Sequence, residues 1–236
     1  MAEERIGETP PAAQEGADGG DFVEAGEREP RWPALVAIVT AGLVYGALPE
    51  SLSVGPRWLL IVVIAALEIP TLIMHYRGAV HLSRVLGYVV SGILTMFVVW
   101  SVALLVAYLP GHRESAVAML GSAASLWASN VITFALWYWR LDGGGPYCRE
   151  RGPYRASEAA FLFPQLTLRE GGRHGGKRKW SPVFVDYLFV AFNTSTALSP
   201  TDSPVMARWA KVLTMVQSLV SLTVIALLLA RAVNVM

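Results

Sequence analysis

The sequence predicts an all-α protein, a polytopic transmembrane helical bundle of about six membrane segments with a disordered N-terminal tail. Three observations lead there. Of its 236 residues 54% are hydrophobic and 16% charged, with a mean hydropathy of +0.45, whereas soluble domains carry about a quarter charged residues. The apolar residues fall in long runs separated by Pro- and Gly-containing breaks, as membrane segments and their turns do. Charge is also segregated: residues 1–31 hold nine of the 18 acidic side chains and three of the 19 basic ones.

Residues 1–31 are rich in Glu, Gly, Pro and Ala, a composition that buries too little apolar surface to offset chain entropy, so a disordered acidic tail is expected. It lacks the basic start and apolar core of a secretory signal. Residues 32–141 are expected to form four transmembrane helices. Trp32–Leu48 and Trp58–Tyr76, 17 and 19 residues long, would reach roughly 26 to 29 Å, close to the ~30 Å hydrocarbon core. Val85–Leu109 and Ser115–Trp139 are longer and turn at Pro110-Gly111. Residues 142–182 form a basic Gly/Arg-rich linker; from Arg140 to Pro182 the chain has nine basic and four acidic residues. Its short apolar patch Ala159–Leu166 is too brief to span, and lies on the membrane surface or plugs against the bundle. Residues 183–236 close the chain as a pore-like helical hairpin, Val183–Ser199 and Met206–Val235.

Counting Lys and Arg orients this arrangement. Arg5, Arg28, Arg31, Arg77, Arg84 and the nine linker charges fall on one side and Arg57 and Arg113 on the other, which places the N-terminus and linker in the cytoplasm. The same rule accounts for the basic body of the chain without nucleic acid. Lipid is the expected partner, and homo-oligomers are expected.

The candidates for function are polar groups at membrane depth, which must be satisfied by protein or by a water-filled path. Asn193, Thr194, Ser195 and Thr196 interrupt an apolar run. Asp186 lies seven residues before Asn193 on the same helix face, and Gln217 is hard to place in lipid, so these six residues are expected to line or gate a path for a small ion. Glu68 is the only acidic residue in the first four segments and forms a second intramembrane site. It either holds a proton or cation, or is a neutral acid bonded to a carbonyl freed by Pro70. Ser, Thr and Gly recur at helical spacing on several segments, and Gly42-Leu-Val-Tyr-Gly46 fits G-x-x-x-G; both read chiefly as helix packing. Arg173, Lys177, Arg178 and Lys179 are expected to contact anionic lipid. Gly171–Arg178 approximates a P-loop but lacks its Ser/Thr and its strand–helix context. With a single cysteine, Cys148, neither an intramolecular disulfide nor a Cys-based metal site can form. No enzyme activity, cofactor or metal is expected.

The stretches FALWYWRLDGGGP (Phe134–Pro146), FLFPQ (Phe161–Gln165) and Val185–Met236 resemble an uncharacterised family of bacterial, largely actinobacterial, integral-membrane proteins. The last of them also distantly resembles the pore module of potassium channels. That resemblance implies a pore helix at Tyr187, Phe189 and Phe192, a filter region at Thr194–Asp202 and an inner helix from Pro204 and Arg208. Ala197-Leu198-Ser199-Pro200 holds no glycine, which potassium filters use to aim successive carbonyls, so the resemblance extends to architecture and not to selectivity. A channel-type loop would enter from outside, whereas the charge count puts the linker inside, so Val183–Ser199 is expected to be a short span of about 26 Å. The functional expectation is a channel-like or transporter-like protein for a small ion; the alternative is a membrane scaffold or accessory subunit.

Overall fold

A computed structural model describes residues 32–49, 52–53, 55–56, 58–77, 79–108, 116–151, 154, 157–166, 180–196 and 203–235. The acidic tail and the four basic linker residues Arg173, Lys177, Arg178 and Lys179 lie outside the described residues. The fold is all-helical, with one isolated bridge between Phe161 and Val205 as the β-type pairing among the described residues. Its helices are α1 (Trp32–Gly46), α2 (Trp58–Tyr76), α3 (Val80–Tyr108), α4 (Ala116–Leu141), α5 (Pro146–Arg151), α6 (Phe184–Thr196) and α7 (Arg208–Val235), with a 3-10 turn at Asp142–Gly144 between α4 and α5.

Helices α1 to α4 run alternately up and down. Tyr45, near the end of α1, packs edge-on against Phe97 of α3 and accepts a hydrogen bond from Ser101. At the other end of the bundle Tyr88 stacks on Trp137 of α4. Gly42 lets α1 approach α2, because a Cβ there would meet Ile64 Cδ1 at 3.3 Å. The G-x-x-x-G glycine therefore serves helix packing within the chain.

The C-terminal part differs from the expected hairpin. Trp139 meets Phe184 and Trp127 meets Phe192, so α6 runs antiparallel to α4. Phe161 touches both Tyr187 at the start of α6 and Trp209 at the start of α7, while Gln217 reaches Ala191 and Ser195 further along. Helices α6 and α7 therefore run parallel. In keeping with this, Met206 N–H donates to Ala160 O at 2.7 Å and Leu162 N–H to Pro204 O at 2.9 Å, which ties the start of α7 to the patch that packs on the start of α6. Of the expected span Val183–Ser199, the described part is Val183 and the 13-residue helix α6, about 20 Å long; the span's last three residues lie outside the described residues.

The expectation of about six membrane segments is met only in part. Val80–Ala107 and Arg208–Ala230 are long and apolar enough to cross a membrane, while Trp32–Gly46 and Trp58–Met74 are apolar but shorter. Helix α4 has the length, but Ser122, Ser125, Ser129, Asn130 and Thr133 interrupt it. Large apolar side chains nevertheless lie outside as well as in the core, and several polar ones are buried. Val36, Val39 and Leu43 on α1, Val89, Met96 and Trp100 on α3, and Met215, Leu219 and Leu222 on α7 face outward, while Ser91, Ser101, Asn130, Thr133 and Gln217 are buried. Only 17% of Arg208–Ala230 is buried, which leaves most of this apolar helix exposed.

Candidate functional site: a buried ion pair on a cavity wall

Three polar clusters lie inside this bundle. In the first, Gln217 joins α4, α6 and α7. Its side-chain oxygen accepts from the Tyr138 hydroxyl at 2.5 Å, and its Nε2 donates to Ala191 O and Ser195 Oγ, each at 2.7 Å. Asn130 Nδ2 donates to Gln217 O at 3.2 Å and Ser221 Oγ at 2.8 Å. The amide of Gln217 is thereby fully used, with one acceptor bond and both N–H groups engaged. Of the residues expected to line a path, Ser195 and Gln217 meet here as interhelical contacts. Thr194 and Thr196 donate to carbonyls of their own helix, Val190 O and Phe192 O, and Asn193 is half-buried on the same helix. Asp186 accepts from Val183 N–H at 2.8 Å, the reach-back that closes the start of a helix. The cluster has the geometry of a packing seam. Gln217→Leu, which keeps the volume and removes the amide, is expected to cost about 2 kcal/mol for three interhelical bonds. That cost would be read from the unfolding midpoint in detergent, and a midpoint equal to wild type would refute the seam.

The second cluster was missed in the sequence because its residues were counted as linker charges. Asp142 is fully buried just beyond α4. Its Oδ2 accepts from Tyr154 Oη at 2.5 Å and Tyr187 Oη at 2.7 Å, and its Oδ1 from Ala160 N–H at 2.6 Å. Arg149 donates to the carbonyls of Trp139 (3.0 Å) and Asp142 (2.6 Å) and lies over the Tyr187 ring at 5.2 Å. Burial, and then the neighbouring Asp142 charge, raise the Tyr154 hydroxyl pKa well above its ordinary value, so it stays a donor. The turn that brings Arg149 back needs Gly145, whose φ is 87° and whose added Cβ would lie 2.7 Å from Arg140 O. Through Asp142 the Ala159–Leu166 patch docks into the bundle, with Phe161 and Phe163 buried against Tyr138, Tyr187 and Trp180.

The third cluster contains Glu68. Arg140 Nη2 lies 3.1 Å from Glu68 Oε1, and both residues are more than nine-tenths buried. Glu68 is thus paired with a residue of α4. Gly87 of α3 lies against the guanidinium, because a Cβ there would fall 2.6 Å from Arg140 Nη1. The pair lies on the wall of a cavity of about 90 Å³ bounded by α1, α2, α3, the end of α4 and the start of α5. Thr71, Ser83, Arg84, Tyr88 and Tyr147 add polar groups to an otherwise apolar lining that includes Ala34, Ile38 and Leu72. A buried water takes roughly 10 to 15 Å³ on this scale, so the cavity has room for several.

No family model, curated protein or solved structure matches this chain. Function is therefore argued from the geometry. Among the described residues no group of three or more His, Cys, Asp or Glu is placed to hold a metal ion. Of the three clusters, only the third joins buried charge to open space, the combination that binding sites use.

Proposed function

We propose that the protein is a multi-pass membrane protein that moves a small ion through a transporter-like site at the Glu68–Arg140 pair. The observation that carries this reading is the pair itself, two charges buried at 3.1 Å on the wall of a cavity with room for water. Intramembrane ionisable residues are costly, face bundle interiors and mark ion or substrate pathways. The apolar outer faces of α1, α3 and α7 support a lipid environment. In this reading there are six membrane segments: α1 to α4 and α7 cross, and α6 dips in and returns. Sixteen of the 19 Lys and Arg residues then flank the Arg140 end, leaving Arg57, Arg113 and Arg231 at the other. That end faces the cytoplasm.

The ion path is assigned to the α1–α4 half and not to α6, whose hydroxyls are bonded to their own helix at Thr194 and Thr196 and to Gln217 at Ser195. Liposomes containing the purified chain are expected to carry an ion flux, measured with pH- and potential-sensitive dyes, that falls to the level of empty liposomes in Arg140→Gln. Wild-type flux equal to that of empty liposomes across pH and ions would refute the proposal. A scaffold role is the second reading, favoured by the Gln217 seam; it predicts no flux and an assembly that Gln217→Leu weakens.

A further inference from the structure

The cavity beside Glu68 also indicates what it takes. We infer that it binds a small organic monocarboxylate, and that Glu68 is a built-in competitor holding Arg140 in the ligand's absence; this rests on the transporter-like reading of the same site. The charges facing the cavity come from three elements: Glu68 on α2, Arg84 on α3 and Arg140 on α4. Tyr88 and Tyr147 are the other titratable groups in the lining, and α1 contributes Ala34, Leu35 and Ile38. Two cations against one anion favour an anionic ligand over a cation.

The choice of carboxylate follows from Glu68. A guanidinium presents its donors in a fork that matches a carboxylate, and this one already holds a carboxylate at 3.1 Å. Gly87 brings the α3 backbone against the guanidinium, so Arg140 has no room to retreat on that side. Arg84 offers a second fork at the cavity wall. Its Nη2 donates to the Cys148 thiol at 3.4 Å, a weak acceptor that a carboxylate displaces. The cavity volume of about 90 Å³ admits a ligand of a few heavy atoms, and the flanking Ile38 and Leu72 suit a short apolar tail.

When a ligand carboxylate takes Arg140, Glu68 gives it up, so removing the charge of Glu68 strengthens ligand binding while destabilising the empty protein. The full chain in detergent is titrated with sodium acetate, with sodium chloride at equal ionic strength as control, and its thermal unfolding is followed. Acetate raises the wild-type midpoint and chloride does not. In Glu68→Gln the midpoint starts lower, and the acetate concentration needed to raise it falls about tenfold, as expected when a buried cation loses its internal partner. Equal responses to acetate and chloride, or the same acetate dependence in wild type and Glu68→Gln, overturn the inference. If Glu68→Gln does not fold, 13C-acetate line broadening decides. Saturable broadening by wild type that is lost in Arg84→Gln upholds the site, and equal broadening by both, or none by wild type, overturns it. Acetate binding without flux would remove the transport reading alone, and flux without a carboxylate site would remove this inference alone.

Discussion

Asp142→Ala is expected to leave the protein unable to hold its C-terminal half in place. The carboxylate accepts three hydrogen bonds, from Tyr154, Tyr187 and the Ala160 amide, in a site with no exposure. Truncation strands all three donors, at about 1 to 3 kcal/mol each for a buried unsatisfied group. Arg149 is held by the main-chain carbonyls of Trp139 and Asp142, which the truncation leaves in place. Together the three stranded donors cost about 3 to 9 kcal/mol, comparable to the whole stability of many domains. The measurement is the fraction of monodisperse protein after detergent extraction, together with its unfolding midpoint. Tyr154→Phe and Tyr187→Phe each remove one donor without stranding another, and should each cost about 1 kcal/mol. An Asp142→Ala protein that extracts and unfolds like wild type would show that Asp142 does not hold the 154–166 segment.

The same residues show where the sequence was readable and where it was not. The apolar runs marked α1 to α4 and α7 because a run of side chains is a local property. Gln217, expected to line a path, and Ser221, one of the repeated hydroxyls of α7, both meet Asn130 of α4. What was not legible depends on contacts far apart in the chain. Glu68 was conspicuous, but its partner lies 72 residues away and looked like one more positive charge at the edge of a linker. Asp142 was hidden by the same counting, although the three glycines after it, all with positive φ, signal a tight reversal that would fold the chain back over the carboxylate. The direction of α7 relative to α6 was the largest difference. Two apolar runs with a short polar break look like a hairpin, and only the pairing of Ala160 with Met206, set by the docked FLFPQ stretch, turns the chain back before α7 begins.

That reversal produces an all-or-none expectation about the two ends of the chain. Helix α1 starts at the Arg140 end of the bundle, with Ala34 beside Glu68 and Arg140. Helix α7 starts at that end too and runs away from it, so the first residue of α1 and the last of α7 lie at opposite ends. A hairpin would place them at the same end and would put residues 203–207 at the far one. Single cysteines distinguish these cases in a Cys148→Ser background, with an impermeant maleimide applied to intact cells. Pro204 is exposed, and its carbonyl pairs with Leu162, so Pro204→Cys should resist labelling until lysis. Met236→Cys should label at once. Native Cys148, exposed on α5, should behave as Pro204→Cys does. Labelling of Pro204→Cys with protection of Met236→Cys would require a hairpin with a cytoplasmic C-terminus, incompatible with the contacts among Phe161, Tyr187 and Trp209 that make α6 and α7 parallel. The charges favour the parallel arrangement as well. In the proposed orientation it would put Arg208 and Lys211, at the start of α7, on the cytoplasmic side, where anionic lipids attract basic residues.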